Sequence, residues 1–163
     1  MIARLALGFL VSLVSTLCQA QDLTLPAAAR LLSNRTSALD SYDLPIGSYA
    51  NGVIPVRKLE GRIERKTWRI NGVSATTLQL LKPLSAQLTT LGYEIVFECK
   101  DSDCGGFDFR FGTEVVPAPD MHVDIRNYRF LSAIREPGRA ISILLSRSGN
   151  AAYIQIISAV SLD

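Results

Sequence analysis

The stretch YRFLSAIREPGRAISILLSRSGNAAYIQIISAV, residues 128–160, decides the fold. It holds three apolar runs of strand length, Tyr128 to Arg135, Ala140 to Arg147 and Tyr153 to Val160. Pro137-Gly138 supplies a tight turn between the first two, and Ser148-Gly149-Asn150 one between the second pair. Runs joined so closely can only fold back on one another, which predicts an antiparallel meander.

Upstream, Pro117-Ala118-Pro119 interrupts the pattern. Before it, two segments alternate: Tyr93, Ile95, Phe97 and Cys99 against Glu94 and Glu98, then Phe107, Phe109 and Phe111 against Asp108 and Arg110. The alternation predicts two half-buried strands whose aromatic rows enter one core. Leu78, Leu81, Leu84, Leu88 and Leu91 recur at spacings of three and four, the signature of a helix. Thr76 and Gln79 form a candidate capping box and Gly92 a stop, while Pro83 either kinks the helix or marks its true first turn. Val56 to Ile70 reads as one long strand, bent at Gly61 or placed at an edge, because neither alternate face is purely apolar. Residues 21–55, punctuated by Pro26, Pro45, Pro55, Gly47 and Gly52, read as an extended lead-in. The expected architecture is α+β over residues 56–163: a mainly antiparallel sheet packed against one principal helix as a two-layer sandwich.

The amino terminus sets the compartment. Arg4 precedes an uncharged run, Leu5 to Leu17, and Cys18-Gln19-Ala20 offers a small-residue cleavage site, so residues 1–20 read as a signal peptide. The run falls short of the ~20 residues that span a bilayer. Acylation of Cys18 is the competing reading, but Ser15-Thr16-Leu17 lacks the small residue normally found before such a cysteine. Without the leader the chain has 143 residues and a net charge of +1, enough for one core and too balanced to imply a polyanionic partner. Nucleic acid is excluded by that balance together with the periplasmic address.

Two cysteines survive cleavage, Cys99 and Cys104, and an even pair in an oxidising compartment reads as a disulfide. Asp101, Asp103 and His122 could instead join them around a metal, although zinc sites favour tighter spacing and a second pair. Four intervening residues also rule out the C-x-x-C of thioredoxin-like redox chemistry. No metal or cofactor is expected.

His122, the single histidine, lies between Asp120 and Asp124 at alternating positions, so a carboxylate-oriented base is conceivable in an extended chain. No nucleophile motif or phosphate-cradling glycine loop accompanies it, and a solvated loop is the simpler reading. Arg57, Lys58, Arg62, Arg65, Lys66 and Arg69, set against Glu60 and Glu64, carry a local charge of +4. They are the candidate contacts for an anionic lipid or acidic partner, although charged edge strands also serve to block sheet-to-sheet aggregation.

With these residues laid out, the chain resembles the amino-terminal periplasmic region of a group of OmpA-family proteins of Gram-negative bacteria. The likeness runs through Leu44-Pro45-Ile46-Gly47, Glu60-Gly61-Arg62, Thr77-Leu78-Gln79-Leu80-Leu81, Gly92-Tyr93-Glu94 and Phe97-Glu98-Cys99. It continues through Cys104-Gly105-Gly106-Phe107-Asp108-Phe109-Arg110, Phe130-Leu131-Ser132-Ala133 and Gln155-Ile156-Ile157. The resemblance implies residence in the cell envelope, in the periplasm or at the outer membrane. In that family peptidoglycan is gripped by a carboxy-terminal domain that this sequence does not contain, so that activity is carried to no residue here, and no catalytic residue is implied. The expectation is a non-enzymatic accessory or interaction module meeting an envelope protein, an anionic lipid or a glycan. The alternative is a small-ligand or lipid-binding module using the sheet face behind the helix, and a hydrolase-type enzyme built on His122 stands third.

Overall fold

A computed structural model describes residues 23–161. The expected signal peptide lies outside the described residues. Six strands and three helices follow in the order β1 (Arg30–Pro45), β2 (Val56–Asn71), α1 (Thr77–Thr90), β3 (Glu94–Lys100), α2 (Asp101–Cys104), α3 (Gly106–Gly112), β4 (Tyr128–Arg135), β5 (Arg139–Ser148) and β6 (Ala151–Ser161). All six strands join one antiparallel sheet in the spatial order β1-β2-β6-β5-β4-β3. Among the described residues no helix is long and apolar enough to cross a membrane.

The meander forms as its turns predict, with β4 paired to β5 and β5 to β6 in continuous register. Every residue of β5 from Ala140 to Ser146 and of β6 from Ala151 to Ile157 is buried, which requires both faces of the sheet to be covered. On one face Ile141, Ile143, Ile154 and Ile156 meet Leu80, Leu81, Leu84 and Leu88 of α1. That helix begins at a complete capping box: the Gln79 amide donates to Thr76 Oγ1 at 3.2 Å and the Thr76 amide to Gln79 Oε1 at 2.8 Å. Pro83 sits inside it on the exposed side.

The opposite face corrects the expected two-layer α+β sandwich with one principal helix. The chain is mostly β, 50% strand against 18% helix, and α1 is not the sheet's only cover. Residues 106–112, whose alternation reads as a strand, form the short helix α3 instead. The reason lies in Gly105, held at φ +112°, which turns the chain out of α2 before a strand could start. Helical geometry then sends Phe109 alone into the core and leaves Phe107 and Phe111 outside, their rings 4.3 Å apart. Phe109 packs there with Tyr128, Phe130, Cys104, Val116 and Met121.

The second departure is β1. Residues 21–55, expected as a lead-in, include a 16-residue strand that pairs with β2 along its length and forms one edge of the sheet. Most of its first ten residues are exposed on both sides, so no alternating pattern announces it. Bulges between Leu31 and Ser33 and between Ser37 and Asp40 break its register, and they bend the edge in the way that discourages further strands from adding.

Cys99 at the end of β3 and Cys104 at the end of α2 are joined, with Sγ atoms 1.99 Å and Cα atoms 5.1 Å apart. The bond fixes the turn from sheet to helix, and both thiols are thereby withdrawn from metal ligation. Beside it the Tyr128 hydroxyl lies 3.1 Å from the carbonyl oxygens of Asp101 and Gly106. Burial, reinforced by the Asp101 carboxylate, pushes the Tyr128 phenol up to about 12. The native state therefore keeps its proton above the usual value near 10 while the unfolded chain loses it, so stability is full below about pH 10 and drains away as the pH rises toward 12. Tyr42, buried against Ser142 Oγ at 2.6 Å, is shifted in the same direction by burial. Urea midpoints measured across this range should fall, and Tyr128→Phe should flatten the fall without abolishing it. A midpoint independent of pH there would contradict the buried placement of both phenols.

Candidate functional site

Six strands some 4.8 Å apart make a sheet roughly 24 Å wide, whereas a single helix with its side chains is about 10 Å across. Helix α1 contacts β3, β4 and β5, and beside it residues of β2 from Arg62 to Trp68 and the end of β6 from Ile156 to Val160 border a gap. There the chain forms a groove of about 470 Å³. Its floor is built from Trp68, Ile141 and Ile156, and its helix-side wall from Leu88, Leu91 and Tyr93.

The other wall comes from the amino-terminal segment. The Thr24 amide donates to Gln87 Oε1 at 2.8 Å, and Gln87 Nε2 donates to the Thr24 carbonyl at 3.0 Å. This reciprocal pair ties residues 23–25 alongside α1, and Leu23 and Leu25 line the groove while packing on the main core.

The rim is polar and of one dominant sign. Among the described residues, Arg62, Lys66, Arg135 and Arg139 line it together with the carboxylate of Glu64. Lys66 Nζ is 3.0 Å from Glu64 Oε2, and Arg62 Nη2 is 4.0 Å from Glu64 Oε1. Arg135 donates to the Leu91 carbonyl at 2.8 Å, where α1 ends, and its guanidinium lies 5.2 Å over the Tyr93 ring. A cation at that helix end also meets the negative pole of the helix dipole.

Strand alternation explains where the six basic residues of β2 go. Arg62 and Lys66 share the groove face with Trp68, while Arg65 and Arg69 point through the sheet to the other side. Arg65 there holds Asp40 at 3.0 Å and closes on Glu114 with its Nε. The Glu114 hydrogen bond raises the Arg65 pKa, and Glu114 is itself placed by Gln155, whose Nε2 donates to the Glu114 carbonyl at 3.0 Å. Arg69 lies 5.5 Å over the Tyr153 ring. Arg57 reaches the β4–β5 turn and binds Glu136 at 2.9 Å, which holds that carboxyl below its ordinary range. Lys58 is exposed at the far end of the hairpin. The six therefore form no single patch, and only two of them face the groove.

His122 is exposed and lies with its ring 5.0 Å from that of Tyr153. Its flanking carboxylates are engaged elsewhere: Asp120 with Arg35 at 3.4 Å, Asp124 with the Arg126 amide at 2.9 Å. Among the described residues no three His, Cys, Asp or Glu side chains gather as metal ligands.

Trp68, Tyr93, Arg135 and Arg139 escape a reading of the sequence as site residues. The one available signal was the lone tryptophan set among the charges of β2, since an aromatic on a basic strand has an apolar body to bury and cations beside it. No protein-family model and no curated protein matches the chain.

Proposed function

We propose that this chain is a non-enzymatic binding module of the bacterial cell envelope, exported by its amino-terminal leader, and that it holds a small amphipathic ligand in the groove beside α1. The observation that carries this reading is the groove itself, a concave site with an aromatic and aliphatic floor and a few convergent polar groups, of a volume at which ligand sites commonly occur. The leader sequence, the disulfide and the resemblance to the amino-terminal region of OmpA-family proteins support the envelope as its place. Among the described residues the ionisable groups that line the groove are four cations, the Tyr93 phenol and the Glu64 carboxylate, which Lys66 pairs, a set suited to binding.

Trp68 makes the test direct, since it is the chain's one tryptophan and lies in the groove. Titration with the neutral dye N-phenyl-1-naphthylamine should give saturable dye emission sensitised by energy transfer from Trp68, with a dissociation constant in the micromolar range. Trp68→Phe should abolish the sensitised signal, and Ile156→Glu should weaken dye binding by on the order of 100-fold by placing a charge on the apolar floor. Dye emission that never saturates, or that is indifferent to Ile156→Glu, would overturn the proposal.

A further inference from the structure

We infer that two copies of this chain associate through α3, with Phe107 and Phe111 of each packed on the same two rings of the other and Asp108 of each meeting the other copy's Arg110. The inference is independent of the groove.

Among the described residues Phe107 and Phe111 are the only exposed Phe, Tyr or Trp side chains, at 58% and 63%. They stand one turn apart on α3, and their rings, 4.3 Å from each other, make one apolar slab. The helix that presents them is fixed in place. Phe109 anchors its opposite side in the core, and the disulfide holds Cys104 just before it. The Tyr49 amide donates to the Cys104 carbonyl at 2.8 Å, and at the far end Ile54 Cδ1 would lie 2.8 Å from a Cβ added to Gly112. A slab so held loses little freedom when it is covered, the property that makes aromatic side chains good anchors of an interface.

The flanking charges select the occupant. At roughly 100° per residue, Asp108 and Arg110 stand on opposite sides of the phenylalanine row, each about 80° round the helix from it. Asp108 is exposed, and Arg110 lies with its guanidinium 5.0 Å over the Phe111 ring. Neither forms an ion pair among the described residues. An apolar row with an acid on one flank and a base on the other is complementary to itself. A two-fold axis running along α3 sets the rows face to face and places each Asp108 beside the other copy's Arg110. An axis across the helix would oppose like charges, so the two helices run parallel. An anionic membrane would meet Asp108 together with Arg110 and gain nothing from having both. Two rings and two charges from each copy make a contact at the small end of specific interfaces, with a dissociation constant on the order of 100 μM.

Sedimentation equilibrium of the folded chain from micromolar to millimolar concentration should show monomer and dimer, with the dimer weakened by salt. Phe107→Ala with Phe111→Ala should weaken it by about tenfold or more, with an unchanged circular dichroism spectrum. Asp108→Arg and Arg110→Asp should each dimerise about tenfold more weakly alone, because each sets two like-charge pairs in the contact. Mixed in equal amounts they should recover the dimer, because every pair is then opposite. The result for the two phenylalanines stands whether or not both charge variants fold. A chain that stays monomeric at millimolar concentration, or a dimer indifferent to the loss of both rings, would overturn the inference. Folded charge variants that remain apart when mixed would overturn the two-fold pairing. Phosphatidylglycerol vesicles that bind the chain but not its double-alanine variant, with no dimer in solution, would overturn it in favour of a membrane surface.

Discussion

Truncating Phe109 to alanine is expected to destabilise the chain by about 4 kcal/mol, a large part of the ~5–15 kcal/mol that holds a domain of this size together. Phe109 is wholly buried, with its ring 5.2 Å from Phe130 in an edge-on contact, 6.0 Å from Phe97 and 6.5 Å from Tyr128. Its removal leaves a cavity bounded by these rings and by Cys104, which the disulfide holds in place, so little collapse can relieve it. Phe107→Ala and Phe111→Ala, whose side chains are 58% and 63% exposed, should change stability by about 0.5 kcal/mol or less. Urea unfolding followed by circular dichroism reads all three. The contrast separates a helix from a strand here, since a strand with three inward phenylalanines would lose comparable stability at each.

Replacing Gly61 by alanine should cost about 3 kcal/mol, through backbone strain together with a clash between strands. Gly61 has φ +154°, and a Cβ there would lie 2.2 Å from the Val160 carbonyl oxygen and 3.0 Å from the Ser161 Cα. Neither is a side chain that can swing away. The strand pair β2–β6 must open at its end, where Gly61 faces Ser161, and Arg62 moves with it. Gly52→Ala is the control: it also has positive φ, at +82°, but nothing lies within 4 Å of its added carbon, so only the strain of about 1 kcal/mol remains. Unfolding midpoints of the two variants that coincide would contradict the close approach at Gly61.

The parts legible in the sequence were those in which one face of an element is buried and the other is not, or in which turn residues fix the connection. Leu81, Leu84 and Leu88 repeat at helical spacing because all three meet the sheet, and Thr76 with Gln79 marks the start of the helix by a pair of hydrogen bonds that any solvent-exposed helix end requires. Pro137-Gly138 and Ser148-Gly149-Asn150 fix the meander in the same way. Strand β1 was not legible, because most of its first ten residues are exposed on both sides and impose no pattern, and Pro45 at its end and Gly47 beyond it read as punctuation of a loop. Phe107, Phe109 and Phe111 misled for the opposite reason. Alternation was present, but a glycine pair at Gly105 and Gly106, both at positive φ, set the chain on a helical course.

The candidate site was half legible. The face behind the helix could be anticipated from one helix being too narrow for its sheet, and the charge of β2 could be counted. Which cations share that face depends on strand parity, which separates Arg62 and Lys66 from Arg65 and Arg69. The contribution of Arg135 and Arg139 depends on the β4–β5 turn bringing them to β2, and no local spacing reveals it. Leu23 and Leu25 join the site through the hydrogen bonds of Thr24 to Gln87 and through their packing on the core.

Ligand binding in the groove is read residue by residue by methyl and indole NMR of the folded chain during titration with laurate. Saturable shifts are expected of the Leu88, Ile141 and Ile156 methyls and of the Trp68 indole, which line one groove, with Leu144 and Met121 on the opposite face unmoved. Shifts centred on Leu144 and Met121, or none at the groove at millimolar ligand, would contradict it.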